Sequence, residues 1–124
     1  MKLKIDRQLR VGIVGGMGPM ATVLFQQLLI EATPAQKDQD HLQVLCFNNP
    51  KIPDRTNSLL SDDGKSYVHE LVKTARQLEK AGANILTIPC ITAHARWDSI
   101  SRQLKVPLIS MIDATVGELL VKKN

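Results

Sequence analysis

The chain has 124 residues, 44% hydrophobic and 23% charged, a composition that predicts one globular domain with a single core over residues 1–124. Six basic residues and one acidic residue lie in the tails, 1–10 and 122–124, so the net charge of +4 does not indicate a basic face. With only 3% aromatic residues, the chain has neither feature of a nucleic-acid-binding surface, and we exclude nucleic acid as a main partner.

The sequence contains neither a targeting signal nor a metal-binding motif. Glycine and proline interrupt the apolar residues near the N-terminus, so we expect no signal peptide and no membrane span. Cys46 and Cys90 lack CxxC spacing, which predicts neither a disulfide framework nor a zinc site. His41 and His69 are expected at the surface, at a spacing that does not indicate a metal site. Together these features predict a cytoplasmic protein with free thiols.

Apolar runs alternate with helical periodicity, as is typical of a parallel sheet wrapped by helices. Residues 11–14 predict a short buried strand. A helix is expected from Pro19 to about Ala32, with proline in its first turn. Residues 42–47 predict the second strand, and residues 48–60, rich in proline, asparagine and aspartate, predict a long irregular segment.

The second half of the chain continues this alternation. Residues 85–88 predict the third strand and residues 106–112 the fourth, and Gly82 is expected to cap the helix before the third strand. The last helix has an apolar stripe that needs a partner surface. Apolar residues recur at helical spacing in three places: Val68, Leu71, Val72, Ala75 and Leu78; Ala93, Trp97, Ile100 and Leu104; and Val116, Leu119 and Leu120.

Four strands joined by right-handed crossovers predict an α/β fold, an open doubly wound parallel four-stranded sheet flanked by helices, of the flavodoxin-like type. Ligands bind such sheets beyond the carboxyl ends of the strands. Segments 15–18, 48–56 and 90–94 each leave a strand at that edge. Their convergence predicts the functional site.

The glycine-rich segment from Gly16 to Ala21 matches the dinucleotide-binding sequence GxGxxA in outline. Pro19 removes one N–H that a pyrophosphate would use, and no acidic residue follows the second strand. These departures favour the alternative, a tight turn that lines a smaller anionic site.

Arg55 lies in a polar loop stiffened by two prolines. Its planar guanidinium suits a carboxylate, which it can bind with two parallel hydrogen bonds. A long polar loop at this edge of a sheet favours ligand binding. The alternative is a structural clasp, in which Asp54 or a helix end holds the guanidinium.

Cys90 follows an apolar strand and precedes a predicted helix, whose first N–H groups are unpaired and carry partial positive charge. This position favours the thiolate, lowering the thiol pKa from about 8.5 toward neutrality, and a thiolate can take or return a proton. His94 lies one turn along the same helix. The alternative is that Cys90 merely packs at the strand end. Cys46, inside the second strand, is expected to be an inert core thiol.

Four motifs together resemble the aspartate/glutamate racemases, and within them the aspartate racemases. They are the segment from Gly12 to Pro19 with Ala21-Thr22, the segment from Asn48 to Thr56, Pro89-Cys90-x-Thr92-Ala93-His94, and Ser110-Met111-Ile112. They cover essentially the whole chain, which resembles the first half of such a racemase. The resemblance implies two similar α/β domains with the site between them, no cofactor, and one catalytic cysteine from each domain. One cysteine removes the α-proton and the other returns a proton to the opposite face.

By this resemblance Cys90 is the catalytic cysteine of the first domain. Thr92 and the backbone at the helix start would hold the α-carboxylate, and Arg55 the side-chain carboxylate. Met17 and Asn49 would line the pocket. The implied partners are a small acidic amino acid and the source of the second cysteine, either a second copy in a homodimer or a separate second half.

Two departures from the family leave a second hypothesis open. Ile91 stands where the family has asparagine, and losing one hydrogen bond to a charged ligand costs about 1.5–3 kcal/mol unless Ile91 turns inward and water replaces the amide. The second domain is not expected within this chain, and Cys46 is poorly placed to replace its cysteine. The alternative is therefore a non-catalytic domain that binds a carboxylate or a partner protein.

Overall fold

A computed structural model describes residues 8–123. Its strands are β1 (Arg10–Gly15), β2 (Gln43–Asn48), β3 (Ile85–Thr87) and β4 (Leu108–Ile109). Its helices are α1 (Pro19–Ala32), α2 (Arg55–Asp62), α3 (Lys65–Lys80), α4 (Trp97–Ser101) and α5 (Met111–Lys123). Short 3-10 turns occupy Asp38–Asp40 and Thr92–Arg96. The predicted α/β class is confirmed.

The four strands form one all-parallel sheet in the order β2-β1-β3-β4. The chain moves from β1 outward to β2, then crosses back to place β3 on the other side of β1. The strand order therefore reverses between β1 and β3, and their carboxyl ends open the crevice in which sheets of this type bind ligands. The loops after Gly15 and after Thr87 border that crevice.

Helix α3 covers one face of the sheet with a continuous apolar stripe. Tyr67, Leu71 and Ala75 are fully buried, and each large apolar side chain removed from water contributes about 1.5–3 kcal/mol. Gly12 of β1 has no room for a side chain, because a Cβ there would lie 2.6 Å from Leu86 of β3 and 3.4 Å from Leu78 of α3. Gly82, in the left-handed region with φ of 107°, follows the end of α3 as predicted.

The other face of the sheet is covered much less completely. Within α1 only Thr22 is buried, and α5 also exposes most of its apolar residues. The large apolar side chains that these two helices leave exposed are Met20, Val23, Leu24, Leu28, Ile30, Ile112, Val116, Leu119, Leu120 and Val121. We call this surface the α1/α5 face. The apolar stripe predicted on the last helix, formed by Val116, Leu119 and Leu120, is therefore exposed.

Two predicted segments differ from the structure. Residues 48–60 are irregular only in their first part, because Asp54 caps α2 by accepting the N–H of Asn57 at 2.9 Å. The fourth strand, predicted over 106–112, is confined to Leu108–Ile109, since α5 begins at Met111. Ser110 ends the strand by accepting the N–H of Asp113 at 3.0 Å, as an N-cap residue does.

Two further expectations are corrected. The segment after Cys90 is a 3-10 turn of five residues followed by the short α4, so the α-helix start expected there is absent from the described chain. Cys46 is exposed rather than buried, because β2 is an edge strand. Residues 1–7 of the basic tail lie outside the described residues. No helix between residues 8 and 123 is long and apolar enough to cross a bilayer.

Candidate active site

The loop after β1 is a tight turn whose first amide is already used within the protein. The N–H of Gly16 donates to the hydroxyl of Thr22 at 2.9 Å, and Thr22 is itself buried. Gly16 adopts φ of 100°, and a Cβ there would collide with the backbone of Asn49. The turn therefore brings the carboxyl ends of β1 and β2 together. This geometry favours the interpretation of the glycine-rich segment as a tight turn. A dinucleotide-binding loop would need free backbone N–H groups.

The loop after β2 places Asn49 and Arg55 close to its own backbone. The Asn49 amide donates to the hydroxyl of Thr74 and accepts the N–H of Lys51, both at 3.0 Å. One guanidinium nitrogen of Arg55 donates to the carbonyls of Ile52 and Pro53 at 3.4 and 3.3 Å. Both side chains thus form hydrogen bonds that stabilise this loop. Arg55 is held by backbone carbonyls rather than by Asp54.

Arg55 nevertheless retains an unused donor. Its Nε is buried and has no hydrogen-bond partner within the described residues. Arg55 is also the first residue of α2, where the helix dipole disfavours a positive charge. A buried unpaired N–H and an unfavourable cation position both become favourable when an anion binds.

Cys90 is fixed at both of its backbone groups. Its N–H donates to the carbonyl of Ile88 at 2.8 Å, and its carbonyl is 2.8 Å from Nδ1 of His94. The thiol is free and half-buried, whereas Ile91, which is 57% exposed, does not turn inward. Thr92 is exposed beside it.

Cys90 lines a cleft of about 430 Å³ between α1 and the loops after β1 and β3. The cleft is mostly apolar, and it brings together three of the predicted site residues, Met17, Cys90 and Thr92. Asn49 and Arg55 do not line it. Its lining comprises Met17, Ala21, Leu24, Phe25, Leu28, Pro89, Cys90, Ile91, Thr92 and Met111.

Tyr67 anchors the turn that follows Cys90 to the core. Its buried hydroxyl donates to the carbonyl of Ala93 at 3.1 Å, and the phenol lies within electrostatic range of Cys90 and Arg55. Burial raises the pKa of Tyr67, and the backbone and charge of Arg96 partly oppose that rise. Tyr67 is therefore a neutral donor at physiological pH.

Tyr67 and Met111 are site neighbours that were not among the predicted site residues, although Met111 lies in the Ser110-Met111-Ile112 motif. Tyr67 continues the α3 stripe four residues before Leu71, so helical spacing could have placed it in the core. The position of Met111 at the cleft depends on β4 lying beside β3, which no local spacing indicates. Within residues 8–123, no group of three or more His, Cys, Asp or Glu side chains is arranged to hold a metal ion.

Fold and site together define a flavodoxin-like α/β domain that presents a free thiol, rather than a nucleotide-binding loop, at the switch point of its sheet. The sequence matches the Asp/Glu/hydantoin racemase family over residues 14–124. The chain belongs to this family.

Three similar proteins are amino-acid racemases or their homologues. RacX, a broad specificity amino-acid racemase of Bacillus subtilis strain 168, is 27% identical over 113 residues, which are 88% of this chain and 48% of that protein. The Picrophilus torridus aspartate racemase superimposes with a TM-score of 0.79 at 36% identity, over 90% of this chain and 47% of that one. An aspartate racemase homologue from Pyrococcus horikoshii OT3 gives 0.76 at 25% identity, over 91% and 49%. This chain therefore spans about half the length of each relative.

Proposed function

We propose that this chain forms one half of a cofactor-independent amino-acid racemase and that Cys90 is its proton-transferring group. The observation that carries the proposal is the position of a free, half-buried thiol in a cleft at the β1/β3 crevice. Ligands bind at this point in doubly wound sheets. Membership of the Asp/Glu/hydantoin racemase family supports the same reaction class.

The chemistry follows from the thiol. As thiolate, Cys90 takes the α-proton of the amino acid, so that the Cα–H bond breaks and an S–H bond forms. The electron pair stays on the α-carbon and its carboxylate. A second acid on the opposite face then donates a proton to that carbon, which inverts it. Because one thiol faces only one side of the substrate, inversion requires a group from elsewhere, and the chain's other cysteine, Cys46, does not line the cleft.

Substrate binding is assigned to three side chains. Thr92, beside the thiol, would hold the α-carboxylate with neighbouring backbone N–H groups, and Met17 would pack on the substrate. Arg55 lies outside the lining of the cleft, and we assign it a side-chain carboxylate because its buried Nε–H has no partner within the described residues, which favours an acidic amino acid such as aspartate or glutamate. Asn49 has a positioning part in this scheme, because its amide already bonds Thr74 and Lys51.

The second acid is proposed to come from a second copy of the chain in a homodimer. The α1/α5 face adjoins the cleft, since Leu24 and Leu28 of α1 and Met111 of α5 line it. A second copy bound to this face would bury its apolar side chains and would also close the cleft. A separate second half of the racemase type is the other source, consistent with the length of the relatives. Because this chemistry needs reduced thiols, we place the protein in the cytoplasm.

Deuterium exchange tests the proposal. Incubation with L-aspartate, L-glutamate or L-alanine in deuterated water should place deuterium at the α-carbon and form the D-isomer of an acidic substrate. Cys90→Ser should lower exchange by roughly 10²–10⁴-fold, whereas Cys46→Ser, at an exposed cysteine outside the cleft, should exchange as the parent does. If neither deuterium nor D-isomer appears with any of the three, this chain alone is not a racemase.

A second candidate function is a non-catalytic carboxylate-binding domain. The exposed Ile91 at the position of the family's asparagine favours it, because that side chain offers the substrate no hydrogen bond. The hydrogen bonds from Arg55 to two backbone carbonyls also favour the non-catalytic domain, because they occupy part of the guanidinium. Calorimetric titration with aspartate separates the two functions: heat of binding without deuterium exchange indicates the binding domain, and absence of binding excludes it.

A further inference from the structure

His94 is held at both of its ring nitrogens by backbone groups. Nδ1 is 2.8 Å from the carbonyl oxygen of Cys90, and the N–H of Met111 donates to Nε2 at 3.1 Å. The ring is buried and stacks on Trp97 with 5.3 Å between ring centroids and 18° between planes. These contacts leave the imidazole one orientation.

The bond from Met111 fixes which ring nitrogen carries the proton. A backbone N–H can only donate, so Nε2 must present its lone pair to Met111. The proton of a neutral imidazole then lies on Nδ1, where it is donated to the Cys90 carbonyl. With both nitrogens engaged in this way, His94 has no site left at which to exchange a proton with the thiol.

From this geometry we infer that His94 is a positioning residue for Cys90. We call the arrangement of the Cys90 carbonyl, the His94 ring and the Met111 N–H the His94 clasp. It fixes the backbone of Cys90 from its carbonyl side, while Ile88 fixes the N–H side, and so aims the thiol into the cleft. It also ties the loop after β3 to the first residue of α5.

The inference rests on the proposed function only in treating Cys90 as the reacting group, so its test follows the thiol itself. In a Cys46→Ser background, the rate of iodoacetamide alkylation of Cys90 is measured by mass spectrometry between about pH 6 and pH 9. The free energy of unfolding is measured on the same samples. Alkylation under native conditions reports local freedom of Cys90, and unfolding reports the whole fold.

Three substitutions at His94 separate the effects of its two hydrogen bonds. In His94→Asn the amide nitrogen occupies the place of Nδ1 and can still donate to Cys90. In His94→Gln the amide oxygen reaches the place of Nε2 and can accept from Met111, but the bond to Cys90 is lost. His94→Phe keeps a ring to stack on Trp97 and loses both bonds. We expect the Gln and Phe variants to alkylate about two- to tenfold faster than the parent and the Asn variant to stay near the parent rate.

Parent-like rates in all three variants would overturn the inference. The inference would also be overturned if the alkylation rate of Cys90 rose in all three variants in proportion to their loss in free energy of unfolding. That result would describe a residue that only supports the fold. If the Gln and Phe variants do not fold, nitrogen NMR of the His94 ring in the parent chain tests the clasp instead, since the bond from Met111 requires a lone pair on Nε2 and therefore a proton on Nδ1. A ring protonated on Nδ1 and unprotonated on Nε2 supports the clasp, and a ring protonated on Nε2 contradicts it. If the parent chain shows no deuterium exchange at the substrate, the proposed function is wrong, but the alkylation results still test the positioning role of His94.

Discussion

The hydroxyl of Tyr67 donates a hydrogen bond to the carbonyl of Ala93 at 3.1 Å, and neither residue is exposed. This bond joins α3, in the middle of the core, to the turn that follows Cys90. It is a long-range contact between residues that are 26 positions apart. The turn that carries the thiol is therefore anchored to the most buried helix of the protein.

Tyr67→Phe should destabilise the fold by about 1–3 kcal/mol, because it leaves the buried carbonyl of Ala93 without its donor while preserving the aromatic ring. Urea denaturation measures the change. Thr115→Val is the matched control: it also removes a hydroxyl that donates to a carbonyl, but at an exposed site on α5, and should change stability by less than about 0.5 kcal/mol. Equal effects of the two substitutions would contradict the anchoring role.

Gly16→Ala should be more costly than its size suggests. The residue has φ of 100°, which a side chain rarely adopts, and its Cβ would collide with the backbone of Asn49. We expect a loss of about 1–3 kcal/mol or more, measured by thermal and urea unfolding. Gly117→Ala, inside α5 with open space around it, should instead be neutral or stabilising by up to about 1 kcal/mol. A tolerated alanine at Gly16 would show that the turn can relax.

Local sequence signals account for the elements whose ends depend on one residue. The bounds of α1 agree with the prediction because Pro19 is suited to the first position of a helix. Helix α2 differs from the predicted irregular segment: Asp54 is a suitable N-cap residue, but the two prolines before it favour a loop in local sequence. The three loops were placed correctly at one edge since parallel strands all end there.

Features that depend on strand order could not be predicted locally. Cys46 is exposed because β2 lies at the edge of the sheet, and its apolar neighbours gave no indication of that position. The contact between His94 and Met111 likewise exists because β4 lies beside β3. The predicted roles of Met17, Asn49, Arg55, Cys90 and Thr92 stay predictions, of which the structure brings Met17, Cys90 and Thr92 into one cleft.

Asp62 should make stability depend on acid pH. Hydrogen bonds from Ser58, followed by Ser66, hold the pKa of its carboxyl below the ordinary value. Because the folded pKa is the lower one, the stabilisation is complete above the unfolded value of about 3.9 and is lost as pH falls through the folded value. Asp62→Asn should therefore be less stable than the parent at pH 7, and the difference should shrink in that acid range. A difference that stays constant with pH would exclude this carboxylate as the cause.

Arg55 should matter more for binding than for folding. Its two bonds to backbone carbonyls are long, so Arg55→Lys should change stability by less than about 1 kcal/mol. If the unpaired Nε–H binds a substrate carboxylate, the same change should weaken aspartate binding by roughly 10- to 100-fold in calorimetric titration. Arg102→Lys, at an exposed position, controls for the general effect of the substitution. Unchanged affinity combined with a large loss of stability would make Arg55 a structural clasp.

The α1/α5 face should drive self-association. A large apolar side chain contributes about 1.5–3 kcal/mol when buried, and each of the two helices exposes several, so a second copy seated there would gain substantial free energy. Sedimentation velocity over a range of concentrations should show a dimer. Val23→Glu on α1 or Leu119→Glu on α5 should shift it to monomer, because each places a charge at a face expected to be dry.

Leu60→Glu provides the matched control for this experiment. Leu60 is 82% exposed, more than Val23 or Leu119, but it lies on α2 and outside the α1/α5 face. It should leave the dimer intact, since a charge there remains in water. Deuterium exchange at the substrate should fall with the dimer in the Val23 and Leu119 variants and persist in the Leu60 variant, because the second acid would come from the other copy. A parent chain that stays monomeric at every concentration, or exchange that is independent of association, would contradict the homodimer and favour a separate second half.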